Sequence, residues 1–453
     1  MGGGSQSCAN RVYMLSFDIE WRVPVGCGFS GFFTEVALGF VPALHERGLA
    51  VKLLTGGCDE AWLKANLEPA DADAFRTSWT DEHKRNVAET SSALAVEHGE
   101  PCGMRRWHSA VVRPWRVVAR TMTESALKAD QASCLRHADE IWVPTAWHVD
   151  TFVAAGIARS SLHVVPEPVD VDFFAPTIEQ QKRRALRGSK SGSAAAPFVF
   201  LSSFKWEHRK GWDLLLEAYW SEFAADERQS VRLLIKTYLP SWEPGPRDLN
   251  TWVARFAEQK LHKARKALAP VELRVSDVSR AALRELYAAS DAFVLPTRGE
   301  GWGLPIAEAM SMGLPAIATN FSGPTAFLSA QNSHPLPVAR HLPGGFAEPS
   351  VAALRRAMRR AFEEHRDGEG EAAAQRGARA RADMVAHFSR AAVADVVLRR
   401  LHALNASRAE RTPERTPGRG GAGRARGAVR DELRRLRARW PPAGSQVMAS
   451  DGG

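Results

Sequence analysis

The 453 residues are 45% hydrophobic, enough for two or three domains with apolar cores of their own, and this composition places the chain among soluble globular proteins. Most of the formal charge of +9 sits at one end: from Asn405 onward eleven arginines face five acidic residues, a net of +6, which leaves +3 for the first 404 residues. The folded part is nearly balanced, so no nucleic-acid partner is expected. Five cysteines (Cys8, Cys27, Cys58, Cys102 and Cys134), odd in number and without CxxC spacing, read as free thiols in a reducing compartment. The start MGGGSQSCANR has no signal-peptide character, Gln6 departs from the myristoylation pattern, and the uncharged stretch Ala309 to Ala339 is broken by Pro and Gly. The expected location is cytoplasmic.

In chain order, Val12 to Phe17 is a candidate strand, Phe32 to Leu44 carries helical apolar periodicity, and Ala50 to Leu54 is a second strand. The loop Gly26-Cys27-Gly28-Phe29-Ser30-Gly31 matches G-x-G-x-x-G in letters only. A dinucleotide fold puts the first glycine directly after the strand and an acid at the end of the next strand. Here eight residues intervene, and Leu54-Thr55-Gly56-Gly57 offers no acid. No periodicity is sustained from Asp59 to Thr80, and Asp81 to Val96 reads as a surface helix. Asp71 to Asp73 and Asp170 to Asp172 match a D-x-D metal pattern, but so short a pattern arises by chance and no metal is expected.

Ile178 to Ala196 shifts to Lys, Arg, Gly, Ser and Ala, as a connector does. Beyond it strands and helices alternate: Phe198 to Ser202, Trp212 to Phe223, Val231 to Lys236, Thr251 to Leu268, Val271 to Val275 and Arg280 to Ala289. This rhythm predicts a parallel doubly wound sheet. The most informative stretch is Asp291 to Thr325, DAFVLPTRGEGWGLPIAEAMSMGLPAIATNFSGPT. Ala292 to Leu295 suits a buried strand, Pro296 and Gly299 break it, and Gly301, Trp302 and Gly303 lead into a helix that Gly313 and Pro315 end. A glycine-opened helix start leaves backbone N–H groups facing outward with about half a positive charge, and attracts phosphate. Glu300 and Glu308 flank that site; phosphate repels them, so their natural partners are hydroxyls. The implied ligand is a sugar attached to a phosphate.

The motif from Glu300 to Glu308, set in GEGWGLP and followed by Gly313-Leu314-Pro315 and Ser322-Gly323-Pro324-Thr325, resembles the retaining glycosyltransferases of family 4, the glycosyl transferases group 1. The resemblance implies an α/β GT-B fold, two Rossmann-like domains facing a cleft, and transfer from a nucleotide-sugar co-substrate with no cofactor. In that family the first Glu contacts the donor sugar, the second holds the ribose, and amides such as those of Gly301, Trp302, Gly303 and Leu304 face the sugar and diphosphate. The resemblance further implies diphosphate contacts for Arg209 and Lys210. Lys205 stands near where many members carry an Arg. Gly28 falls in the glycine-rich loop that approaches the donor phosphates from the first domain. His108 sits roughly where related enzymes present an acceptor-side His; a structural role stays equally open. The catalytic candidates are thus Glu300, Lys210, Arg209 and His108.

The implied organisation is an acceptor-side domain over 1–175, a linker over 176–197 and a donor domain over 198–380. Helices over 381–404 cross back to the first domain, and a basic tail follows over 405–453. In the tail, Val429, Leu433, Leu436 and Trp440 form an apolar stripe among arginines, either solvated disorder or a weak contact to anionic membranes. A glycoside hydrolase would need no diphosphate site, a dehydrogenase would rest on the discounted glycine loop, and a non-catalytic sugar-nucleotide binding protein stays as the alternative. Donor base, donor sugar and acceptor, whether carbohydrate, lipid or protein, are not legible.

Overall fold

In the computed structural model of the chain, the described residues are 15, 17–23, 31–56, 58–81, 93–104, 114–180, 196–223, 227, 229–243, 248–276, 278–366 and 370–411. Gly28, His108 and the tail stripe from Val429 to Trp440 lie outside them. The chain divides into Met1–Asn405 and Ala406–Gly453. The first unit holds two parallel sheets, the doubly wound architecture that the alternation of elements implies.

The first sheet runs β3-β2-β1-β4-β5-β6-β7, with β1 (Ile19–Val23), β2 (Lys52–Thr55), β3 (Trp79–Asp81), β4 (Leu94–His98), β5 (Arg116–Arg120), β6 (Glu140–Val143) and β7 (Leu162–Val164). Of the run expected as a strand over Val12 to Phe17, only Leu15 and Phe17 are among the described residues, and neither lies in a strand; the interior strand β1 is IEWRV. Its Glu20 and Arg22 are buried yet paired with each other at 3.1 Å, and Arg22 Nε reaches Glu97 on β4 at 3.5 Å. Lys52 on β2 meets Glu20 at 3.1 Å. Charge pairing between neighbouring strands lets a polar sequence occupy the middle of the sheet, which an apolar-run criterion cannot see.

Two other expectations are corrected. Asp59 to Thr80 is not structureless: α3 (Glu60–Asn66) and α4 (Pro69–Ser78) fill it, after α1 (Gly31–Glu35), a π-helical turn (Val36–Phe40) and α2 (Val41–His45). Local signals mark both new helices, since the Asp59 side chain accepts from Ala61 N at 2.9 Å and Pro69 opens the next. Within the expected surface helix from Asp81 to Val96, Asp81 ends β3 and Leu94 begins β4. The first domain continues with α5 (Ala129–Cys134) and α6 (Ala146–Ala154).

The second sheet runs β10-β9-β8-β11-β12-β13, built from β8 (Phe198–Lys205), β9 (Val231–Tyr238), β10 (Val271–Arg274), β11 (Ala292–Leu295), β12 (Ala316–Thr319) and β13 (Ser333–Leu336). A short antiparallel pair, β14 (Val338–His341) and β15 (Ala347–Pro349), lies beside it. Its helices are α7 (Trp212–Glu222), α8 (Leu249–Leu261), α9 (Arg280–Ala288), α10 (Leu304–Ser311), α11 (Val351–Arg366) and α12 (Gly370–Phe388). The order places β8 and β11 side by side at the centre, so the loops after them, carrying Arg209-Lys210 and Glu300, emerge together at one edge. Ligands in such sheets bind outside the carboxyl ends of the strands.

The last helix, α13 (Arg390–Arg411), returns to the first sheet: Val393, Ala394, Val397, Leu398, Leu401 and Leu404 belong to the apolar cluster of Trp21, Phe33 and Phe40. At its start Arg390 makes paired contacts to Asp71 at 3.0 and 2.6 Å and reaches Asp170 at 3.0 Å. Asp170 also takes Arg280 at 2.6 Å, and Asp73 takes Arg76 at 2.8 Å. In three of the four D-x-D aspartates the carboxylates thus hold arginines.

The free-thiol reading is also corrected. Cys102 and Cys134 are bonded, their Cα atoms 5.1 Å apart, and Cys58 is disulfide-bonded as well. An odd count hid the pairs, and with them goes the ground for assigning a reducing compartment. Among the described residues no helix is long and apolar enough to cross a membrane. With the two cysteines 32 positions apart, loop-closure entropy gives the cross-link about 3–4 kcal/mol. Replacing both with serine should lower stability by that order in urea unfolding; a midpoint unchanged within error would show that the bond contributes nothing.

Candidate active site

Strand β11 is pinned at its start, where the Asp291 carboxylate accepts from Val199 N at 2.8 Å. It ends at Pro296, and the following loop is then held from three directions. Thr297 Oγ1 donates to Gly299 O at 3.0 Å, Glu300 N donates to Ser322 Oγ at 2.9 Å, and Gly323 N donates to Glu300 O at 3.0 Å. Gly303 adopts φ 101° immediately before α10, a conformation that costs a glycine nothing. A Cβ on Gly323 would lie 2.4 Å from Gly301 O, and one on Gly211, at φ 72°, would lie 2.0 Å from Pro296 O. The glycines here permit backbone to meet backbone.

This packing brings together residues ninety positions apart. Lys210 Nζ donates to both Glu300 oxygens, at 2.7 and 2.8 Å. Arg209 Nη1 donates to Gly299 O at 2.7 Å and stands 3.8 Å from Glu300, while its Nη2 meets Glu207 and Glu124 at 3.2 Å each. Burial alone would raise the Glu300 carboxyl, but Lys210 and then Arg209 hold it below the usual range, so it is ionised at neutral pH.

Glu308, on α10, is half-buried and accepts from Tyr287 Oη at 2.8 Å. Burial pushes its carboxyl up to about 7, against the Tyr287 hydrogen bond and the more distant Arg280 and Lys236. Glu300 and Glu308, alike in the sequence, therefore differ: one is a charged partner of two cations, the other a carboxyl poised to lose its proton near neutrality.

The remaining candidates separate. The Trp302 indole is buried in the core, 5.1 Å from the Phe327 ring and 5.2 Å from Phe388, so only its backbone is available to a ligand. Leu304 packs on the core of the second sheet. Lys205 ends β8 with its ammonium 5.8 Å from the centre of the Trp242 ring, and among the described residues it makes no ion pair with Glu300. Gly28 and His108 are outside the described residues.

Two features have no counterpart in the sequence reading. Arg298 is 3% exposed and donates to His208 O at 2.6 Å, to both Asp213 oxygens at 2.8 and 2.7 Å, and to Glu348 at 3.0 Å. It bolts the Arg209-Lys210 turn to the Glu300 loop. The only local signal was an Arg between Thr297 and Gly299, indistinguishable from a surface residue.

The second is a cluster in the first domain, Glu35, His98 and Glu167, all buried, whose donor atoms lie within 4.8 Å of one another. Its chemistry does not suit a metal. Trp21 Nε1 donates to His98 Nδ1 at 3.3 Å, which places the His98 proton on Nε2, where it faces Glu35 at 3.1 Å and leaves no lone pair there for an ion. Glu167 is paired with the fully buried Arg120. Burial pushes Glu35 and Glu167 up to about 7 and His98 down to about 3. The cluster is one arginine, a neutral histidine and two carboxyls that share the arginine's charge.

Replacing Arg298 with Ala strands Asp213 and Glu348, and should cost about 3 kcal/mol in urea unfolding, the lower end for a broken buried pair; a loss under about 1 kcal/mol would show that the turn is held by other contacts. Glu308 gives a pH test. Its folded pKa lies above the unfolded value, so the unfolded chain ionises first and stability falls between about pH 4.5 and 7, then levels off. Glu308→Gln should flatten that part of the stability profile, so that the variant gains on the parent as pH rises to 8; parallel profiles would refute the assignment.

Residues 196–356 match the family model for glycosyl transferases group 1. A D-inositol 3-phosphate glycosyltransferase of Xylanimonas cellulosilytica is 29% identical over 354 residues, covering 69% of this chain and 81% of that protein. Among solved structures, a glycosyltransferase from Rickettsia africae has a TM-score of 0.61 at 14% identity, over 86% of this chain and 98% of the other. Anabaena HepE in complex with UDP-glucose has a TM-score of 0.57 at 14% identity, over 85% of this chain and 100% of the other. With the paired parallel sheets and the Glu300 to Glu308 stretch inside the matched region, the chain has the GT-B fold and is similar over residues 196–356 to the glycosyl transferases group 1.

Proposed function

We propose that this glycosyltransferase takes its sugar from a nucleotide-diphosphate sugar, UDP- or GDP-linked, and transfers it with retention to a hydroxyl acceptor, without a metal. The observation that carries the reading is the convergence of Arg209 and Lys210 on Glu300, at the mouth of the glycine-opened helix that also carries Glu308. A neighbour of the same fold was solved with UDP-glucose, which supports a nucleotide-sugar donor. The curated relative's name supports a polyol acceptor of the inositol phosphate type as one member of the acceptor class. The basic tail is proposed only as a weak, salt-sensitive contact to anionic membranes.

In this reading the donor lies on the second domain, its ribose on Glu308, its diphosphate at Arg209, Lys210 and the amides of Gly301 to Leu304, and its sugar against Glu300. Cleavage of the anomeric bond puts negative charge on the diphosphate. Cations already held in place stabilise that charge without reorganising. Lys210, neutralised by Glu300 before the donor arrives, exchanges part of that pairing for the phosphate, so its contribution grows as the bond breaks. No covalent protein nucleophile is needed; the departing phosphate takes the acceptor's proton.

The test is a thermal-shift and turnover screen of UDP-, GDP- and ADP-sugars, with the product anomer read by NMR. Stabilisation by none of them, or inversion at the anomeric carbon, would overturn the donor or the stereochemical part respectively. Two variants assign the roles. Glu308→Ala should weaken free nucleotide and nucleotide sugar alike by about 1–3 kcal/mol, as for a lost charged hydrogen-bond partner. Glu300→Gln should leave free-nucleotide affinity equal or tighter, because it releases Lys210, while turnover collapses. Lys210→Ala should depress kcat more than donor affinity; a rise in KM alone would reduce Lys210 to a binding residue.

A further inference from the structure

The chain leaving β5 does not stay on its own domain. Thr121 to Ala126 runs along the second one so closely that a Cβ on Gly299 would lie 2.1 Å from Glu124 O, one on Gly301 would lie 2.2 Å from Met122 Sδ, and one on Gly345 would lie 2.4 Å from Ala126 Cβ. The first domain fixes this segment. Thr121 Oγ1 donates to Gly99 O at 2.8 Å, and His148 Nε2 bonds Thr123 O at 2.9 Å while Thr145 Oγ1 holds its Nδ1 at 2.8 Å. Burial keeps His148 neutral, so its Nε2–H donates to Thr123. The Glu124 side chain is thereby presented, 47% exposed, 3.2 Å from Arg209.

Of the carboxylates around Arg209, Glu207 and Glu300 belong to the same domain as the arginine, whereas Glu124 comes from the domain opposite. Resting on the donor reading above, we infer that Glu124 is the carboxylate that orients the acceptor hydroxyl. The diphosphate that takes Arg209 repels Glu124, and a neutral hydroxyl is the partner left for it. That hydroxyl must approach the anomeric carbon beside Glu300, which Arg209 adjoins at 3.8 Å. The acceptor oxygen forms the new bond to the anomeric carbon, the electron pair of the old bond leaves with the diphosphate, and the acceptor proton ends on the phosphate oxygen. Glu124 aligns the O–H and polarises it, and is itself unchanged by the cycle.

The test uses the full chain as wild type, Glu124→Gln and Glu124→Ala. Each is assayed with the nucleotide sugar that stabilises the wild type, for UDP and GDP affinity by calorimetry and for transfer to water and to glycerol. The expected result is transfer at least 30-fold slower in both variants, with nucleotide affinity within threefold of wild type or tighter, and the glutamine variant melting as the wild type does. Loss of affinity and transfer in equal proportion would make Glu124 a latch between domains and overturn the inference. Unchanged transfer would overturn it too. A wild type that binds no nucleotide, or binds it and transfers to neither water nor glycerol, overturns the donor reading first and this inference with it.

Discussion

The arrangement of the molecule depends on backbones meeting where no side chain fits. Around residues 296 to 303 the Glu300 loop touches the turn before α7 at Gly211, the loop before Pro324 at Gly323, and the opposite domain at Gly299 and Gly301. A Cβ at Gly211, Gly299 or Gly323 would fall within 2.4 Å of a carbonyl oxygen. Backbone cannot yield as a flexible side chain can, so Gly299, against Glu124 O, sets how closely the two domains approach there, while Gly211 and Gly323 set the direction in which Glu300, Arg209 and Lys210 point.

Into that frame the chain places more charge than an apolar core tolerates, and every charge has a counterpart. Lys210 is neutralised by Glu300, Arg209 is shared by Glu300, Glu207 and Glu124, and Arg298 by Asp213 and Glu348. Pairs of this kind contribute little to net stability, since desolvation offsets the attraction, but they make the loss of one partner costly and keep the others oriented. A site prepared in this way meets an anionic ligand with its cations already in position. Glu308 is the exception, a carboxyl with a hydroxyl neighbour and, among the described residues, no cation at contact distance.

The two domains are joined by features from both ends of the chain. Val169 N donates to Phe388 O at 2.7 Å, and α13 completes the apolar core of the first sheet. Arg390 stands at this junction, bound to Asp71 and Asp170, and Arg400 reaches Glu140 at 2.7 Å. The first domain therefore buries its core only once the last helix has been made.

The sequence by itself determined the parallel-sheet rhythm of the second domain and the strand-loop-helix stretch around Glu300 and Glu308. Both are written in short-range signals: apolar runs of strand length, glycines at a helix start, a fixed spacing of acids. Where such signals were absent it failed. The interior strand IEWRV carries its charges inward, and α3 and α4 have weak apolar periodicity that the cap at Asp59 and the proline at Pro69 did not outweigh, so neither was legible. Only the tertiary structure decided which charges are partners. Arg298 meets Asp213 across 85 positions and Lys210 meets Glu300 across 90, while Glu124 and Arg209 come from different domains. The same holds for the Cys102–Cys134 bond and for the cluster of Glu35, His98, Arg120 and Glu167. A residue type states what bonds it can make, but the partner is chosen by the path of the backbone through space, and that path is set by the packing of the whole chain.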